Sequence, residues 1–105
     1  MTDKLLILTT TGSDSEAGKI ATALVERRLA ACVNIIPKIK SVYRWQDGVE
    51  SAEEFLLVIK TLKAQEEQVQ SAIRELHSYE LPECIAIAIE SGSAEYLEWI
   101  ANSVK

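Results

Sequence analysis

Few side chains in this 105-residue chain offer more than ordinary surface chemistry: two cysteines, Cys32 and Cys84, and a single histidine, His77. A thiolate is a soft ligand suited to copper(I) or zinc, and free cysteine is also among the most frequently buried side chains. Cys32, set between Ala31 and Val33, therefore reads either as packing or as a metal ligand. Cys84 stands at the head of Cys-Ile-Ala-Ile-Ala-Ile-Glu, on the same side as Ala86 and Ala88, where a structural role is the simpler reading. His77 falls at the end of a helical pattern, and a helix C-terminus favours a cationic ring with no ligand present. Tyr79 and Glu80 follow it with a phenol and a carboxylate, in a loop stiffened by Pro82. These three polar groups can converge on one cleft, or form a hydrogen-bonded loop that closes a subunit interface. His77 and Glu80 supply one nitrogen and one oxygen, too few for a closed structural site, and no zinc-binding spacing occurs.

Glu54 and Lys60 share one face of a strand but stand ~20 Å apart, so each must find another partner or water. Lys60, at a strand end, is placed either to meet an anion at a cleft or to be an ordinary surface lysine. Catalysis is not expected. Thr10-Thr11-Gly12-Ser13 precedes a helix whose free amides favour anions, but it lacks the GxxxxGK[ST] pattern, and Glu16 competes for the same amides. Neither Ser13 nor Ser15 has an evident base, and no catalytic residue is assigned.

Sixteen acidic and eleven basic residues give a formal charge of -5, which does not attract a phosphate backbone without a local basic patch. Arg27, Arg28, Lys38 and Lys40 come nearest to one, and a helix end plus a strand face accounts for them, so no nucleic-acid partner is expected. No run of eighteen apolar residues exists to span a membrane. The apolar start Leu5–Leu8 is too short for a secretion signal. A cytoplasmic location is expected, in which the two cysteines need not be bridged.

The elements that must position these groups follow from periodicity. Leu5–Thr10 is an apolar run of strand length. Ser13 and Glu16 have the spacing of a reciprocal capping box, and Ala17, Ile20, Ala21, Leu24 and Val25 follow at helical spacing. Cys32–Ile36 starts a second strand, which Pro37 should bend or bulge. Beyond it, Ile39, Ser41, Tyr43 and Trp45 share a face, and Asp47-Gly48 marks a hairpin turn. Phe55–Thr61 is the third strand, with a ragged lead-in from Val49. Gln65–His77 is the second helix, Cys84–Glu90 the fourth strand, and Tyr96, Leu97, Ile100 and Val104 define a terminal helix. The order β-α-β-β-α-β-α predicts one α+β domain over residues 1–105, a ferredoxin-like plait (βαββαβ) with a long hairpin between its second and third strands and an added C-terminal helix. Both crossover helices fall on one face of the sheet. The strands are apolar on both faces, so a lone chain would expose more apolar surface than soluble monomers tolerate, and self-association is expected.

Ala31-Cys32-Val33-Asn34, Trp45 with Gly48, Glu54, Lys60-Thr61 and His77-Ser78-Tyr79-Glu80-Leu81-Pro82 together resemble the CutA family, named for divalent cation tolerance. The resemblance runs from the first strand to the last helix. Ser78 stands where that family typically has proline, which would loosen the loop slightly. What the resemblance implies is a cytoplasmic, tightly trimeric protein with a reputation for binding copper and other divalent ions and no settled reaction; Cys32, a soft ligand on a family motif, is the first expected metal ligand, and His77 and Glu80 come next for their position beside a cleft. A second reading comes from the likeness of this fold to the PII signalling proteins: a trimer holding a nucleotide or other small molecule in clefts between subunits.

Topology constrains either reading. In the plait Cys32 begins its strand at one end of the sheet while His77 lies at the other, so a shared site must be assembled across a subunit boundary. Cys84 starts at the His77 end, so a local His77, Glu80, Cys84 site is geometrically easier. Trp45, at a hairpin tip, reads as an anchor inserted into a neighbouring subunit.

Overall fold

The computed structural model describes residues 1–105. Four strands, β1 (Lys4–Thr11), β2 (Cys32–Trp45), β3 (Gly48–Leu62) and β4 (Ile85–Ala88), form one sheet in the order β2-β3-β1-β4. Every neighbouring pair is antiparallel. Three helices complete the chain: α1 (Asp14–Glu26), α2 (Glu66–Leu76) and α3 (Ala94–Ser103). This is the split βαβ plait, with the extra helix and the long hairpin that the periodicity predicts.

Alternation sorts the strand residues onto two faces. Leu5, Ile7 and Thr9 of β1 pair with Thr61, Ile59 and Leu57 of β3. Ile7, Leu57 and Ile59 bury against Ala17, Ile20 and Leu24 of α1 and Val69, Ala72 and Ile73 of α2 in a single core. The opposite face carries Leu6, Leu8, Leu56, Val58, Ile85 and Ile87. One end of it is covered by α3, whose Ile100 packs with Ala31, Val104 and Leu62. The rest stays open: Ile85 is 52% and Ile87 47% exposed. The sequence pattern is thus accounted for, with one addition, since α3 covers part of the face that the two crossover helices leave bare.

Local chemistry differs from expectation at three points. The strand expected over Cys84–Glu90 keeps ladder pairing only from Ile85 to Ala88. The hairpin turn sits one residue earlier than Asp47-Gly48: Trp45 pairs with Gly48, and the central residues are Gln46 and Asp47, both at positive φ (48° and 67°). That is the sign required by the tight hairpin turn whose twist matches the strands. The capping box is only half formed. Ser13 Oγ accepts the Glu16 amide at 3.1 Å, but the Glu16 carboxylate turns away and accepts the Ser78 amide at 2.9 Å. Pro37 behaves as expected: the register shifts between Ile36 and Ile39, and Lys38 takes φ 57° within the bulge.

The β2–β3 ribbon outruns its neighbours. β1 pairs with β3 only from Phe55 to Leu62, so the segment from Ile39 to Glu54 projects as two strands alone. It carries Val42, Tyr43, Trp45 and Val49 into solvent, Trp45 with half its surface exposed.

Candidate functional site

The sequence-predicted groups divide between the two ends of the sheet. At the end where β1 begins, Cys32 pairs with Lys60 across the β2–β3 ladder. Cys32 Sγ lies 3.6 Å from the Tyr96 hydroxyl of α3. Lys60 Nζ donates to Asn34 Oδ1 at 2.6 Å and stands 5.9 Å from the centre of the Tyr96 ring. Tyr96 in turn stacks on Trp99, ring centres 5.4 Å apart. The bond to Cys32, with burial and the thiol's charge adding to it, raises the Tyr96 pKa. From sequence Tyr96 reads only as a member of the terminal helix, and Trp99 carries no signal. Nothing local marks a partner 64 residues from Cys32 in the chain.

The other end is built around His77, the C-cap of α2. Its ring is fully buried. Nδ1 accepts the Tyr79 amide at 3.0 Å, and since an amide only donates, Nδ1 carries no proton. Nε2 then bears the hydrogen and donates to the Thr10 carbonyl at 2.6 Å. Both nitrogens are engaged within this chain, so the ring joins β1 to the loop after α2. Metal ligation would require one of these bonds to break.

Tyr79 continues the arrangement. Its hydroxyl donates to Glu54 Oε2 at 2.7 Å, and Glu54, on the face away from α1 and α2, is only 8% exposed. The phenol packs over Gly12, where an added Cβ would stand 3.1 Å from the hydroxyl oxygen; a bare Cα is what lets the ring lie there. Burial first, then the Glu54 carboxylate, pushes the Tyr79 pKa up to about 12. Glu54 and Lys60, on one face as expected, thus have separate partners in Tyr79 and Asn34. Glu83, not identified from sequence, belongs to the same neighbourhood: burial and the charge of Glu54 raise its pKa.

The raised Tyr79 pKa has a testable sign. The native state holds this proton more tightly than the unfolded chain does, so its stabilisation is complete below about pH 10, the ordinary phenol value, and is lost as pH rises towards 12. Urea midpoints of the parent should fall between pH 9.5 and 11.5. The fall should be shallower in Tyr79→Phe, and equal slopes would show that this phenol carries no such linkage.

Glu80 and Cys84 border one groove, and His77 does not. They line a groove of about 230 Å³ with Gln70, Ile73, Arg74, Leu81 and Pro82. Cys84 packs against the core, and burial, aided by the Glu66 and Glu83 charges and countered by Arg74, raises its thiol pKa. That protonated, inward thiol fits the structural reading. Both cysteines are free. Nowhere do three His, Cys, Asp or Glu side chains gather as ligands for a metal. One chain alone does not form the site that the resemblance implies.

A family model described as CutA1 divalent ion tolerance protein matches residues 5–103. The chain belongs to the CutA1 family. It is 44% identical over 98 residues to the divalent-cation tolerance protein CutA of Thermus thermophilus, covering 93% of this chain and 95% of that one. It is equally identical over 101 residues to the chloroplastic CutA of Arabidopsis thaliana, covering 95% of this chain but spanning only 56% of that longer protein. The crystal structure of CutA from Xylella fastidiosa superposes with a TM-score of 0.97 at 38% identity, covering 99% of this chain and all of the other. The solved structure of the CutA described as periplasmic from Archaeoglobus fulgidus gives 0.94 at 41% identity, covering 97% of this chain and 99% of that one. The CutA1 assignment and the plait are therefore established together. No helix is long and apolar enough to cross a membrane.

Proposed function

We propose that this chain is a self-associating binding protein for divalent or soft metal ions, copper foremost, rather than a catalyst, and that its metal sites are completed between subunits. The observation that carries the reading is the match to a divalent ion tolerance family over nearly the whole chain. Its geometric support is the scatter of donors: Cys32 and Glu80 lie at different ends of the sheet, too far apart to act together within one subunit. Cys32 is the proposed soft ligand, on the open face beside Tyr96. Glu80, exposed at the rim of its groove, is the proposed oxygen ligand for harder ions. His77 is left to hold the loop.

Assembly is proposed as a homotrimer, the number three resting on the family resemblance. The open apolar face, the unpaired outer edges of β2 and β4, and the projecting ribbon with Trp45 at its tip favour self-association. A cytosolic location is proposed on the unbridged cysteines, although relatives include proteins named chloroplastic and periplasmic.

Calorimetry on reduced protein tests the function, titrating copper(I), zinc, ATP and acidic metabolites into the parent and Cys32→Ser. Copper(I) affinity should drop at least tenfold in Cys32→Ser, and should weaken in the parent as pH falls, because protons compete for the thiolate. Affinity within twofold of the parent, with assembly intact, would remove Cys32 from the ligands. Tight ATP binding without any metal effect would instead favour the PII-like reading.

A further inference from the structure

We propose, resting on the reading of Cys32 as a soft ligand, that Lys60 selects by charge the metal that this sulfur accepts, admitting monovalent copper and discriminating against divalent ions. Lys60 and Cys32 stand directly opposite each other on the β2–β3 ladder. Side chains so paired share a face and start about 4.5–5.5 Å apart at Cβ. The ammonium is held there from two sides. Nζ donates to Asn34 Oδ1 at 2.6 Å, and Asn34 lies two residues along β2 from Cys32, on the same face. Nζ also stands 5.9 Å from the centre of the Tyr96 ring, whose hydroxyl lies 3.6 Å from Cys32 Sγ. Strand pairing, amide and phenol together keep one positive charge beside the sulfur.

No acid cancels that charge within the chain. Lys60 takes part in no salt bridge, and its one hydrogen-bond partner, the Asn34 amide oxygen, is uncharged. Tyr96 and Lys60, the side chains set against Cys32, include no carboxylate and no imidazole, the ligands that suit a harder dication. The balance of charge then separates the ions. A thiolate holding a monovalent ion is neutral, and the ammonium neither attracts nor repels it. The same thiolate holding a divalent ion carries one positive charge, which Lys60 opposes. Whichever protonation state the free cysteine has, the two bound forms differ by that one charge. At roughly 6–8 Å and an effective dielectric constant of about 40–80, one unit of charge changes relative affinity about two- to tenfold. Salt shrinks the difference, because the cluster lies near the surface.

Copper(I) and cobalt(II) read the selection at the sulfur itself. Each gives a charge-transfer absorption when bound to a thiolate, so titrations followed at those bands ignore ions held elsewhere; cobalt(II) carries the charge of zinc. Both titrations are run without oxygen on reduced parent, Lys60→Gln, Lys60→Arg and Cys32→Ser, with far-ultraviolet circular dichroism reporting that each variant is folded. Lys60→Gln should raise cobalt(II) affinity relative to copper(I) affinity at least about threefold at low salt, and by less at high salt. Lys60→Arg keeps the charge and should hold the parent ratio within about twofold, which a merely steric role for lysine would not ensure. An unchanged ratio in Lys60→Gln, or a cobalt(II) band absent from both parent and Lys60→Gln, overturns the selection and leaves Cys32 as a ligand for copper(I). A parent without a copper(I) band, or bands that persist in Cys32→Ser, overturn the reading of Cys32 itself and the selection with it.

Discussion

Replacing Ile87 with aspartate is expected to leave a folded chain that no longer self-associates. Ile87 pairs with Leu6 across the β1–β4 ladder and lies on the face turned away from α1 and α2, with 47% of its surface exposed in the single chain. Ile85 beside it is 52% exposed, and Leu6, Leu8, Leu56 and Val58 continue the apolar surface inward. In an isolated subunit the new carboxylate still reaches water, so the fold loses little. Between subunits it would have to be desolvated without a cation, which costs several kcal/mol. Sedimentation equilibrium at low micromolar concentration should give the mass of one chain for Ile87→Asp and a multiple of it for the parent. An unchanged multiple would mean that this face is not the contact surface.

The largest effect on folding is expected from Leu57→Ala. Leu57 is fully buried on the central strand β3, in the core it shares with α1 and α2. Truncation removes transfer free energy and leaves a cavity that two helices and a sheet cannot easily close, at a cost of about 2–5 kcal/mol. Against a typical domain stability of roughly 5–15 kcal/mol, that is a large fraction. Leu81, 82% exposed, supplies the control, and Leu81→Ala should stay within about 0.5 kcal/mol of the parent. Urea unfolding must compare the variants at one protein concentration, because the proposed assembly would add to apparent stability. Equal midpoints for Leu57→Ala and the parent would contradict the core as described.

The architecture was legible in the sequence because period-two and helical patterns are local signals, and each strand and helix carries its own. Pro37 announced its bulge for the same reason, through a missing amide. What was not legible depends on partners distant in the chain. Glu16 has the spacing of a capping box, yet its carboxylate serves Ser78, 62 residues away. Local spacing shows that a reciprocal cap is possible; it does not show that a distant loop competes for the same carboxylate. His77 was correctly placed at a helix end, but whether its nitrogens face a metal or the backbone is decided by Thr10, far off in sequence. Glu83, beside Pro82, was passed over because its environment is set by tertiary burial and then by the charge of Glu54 on β3. The turn at Gln46-Asp47 was missed by one residue for a different reason: Asp47-Gly48 is the stronger dipeptide signal, and cross-strand register overrode it.

The position of β4 bears on how the chain reaches its native state. Thr2 hydrogen-bonds Ile89 across 87 residues, and β1, the strand between β3 and β4, is made first but paired on its outer side last. During synthesis the β2–β3 ribbon can close by itself, since its two arms are joined by a tight turn and hairpins form in microseconds. β1 must wait, its apolar residues unpartnered, until β3 and then β4 have emerged from the ribosome. Closing so long a loop slows folding and leaves a sticky strand edge exposed in the meantime. Until β4 completes the ladder, the outer edge of β1 stays an unpaired strand edge in the emerging chain.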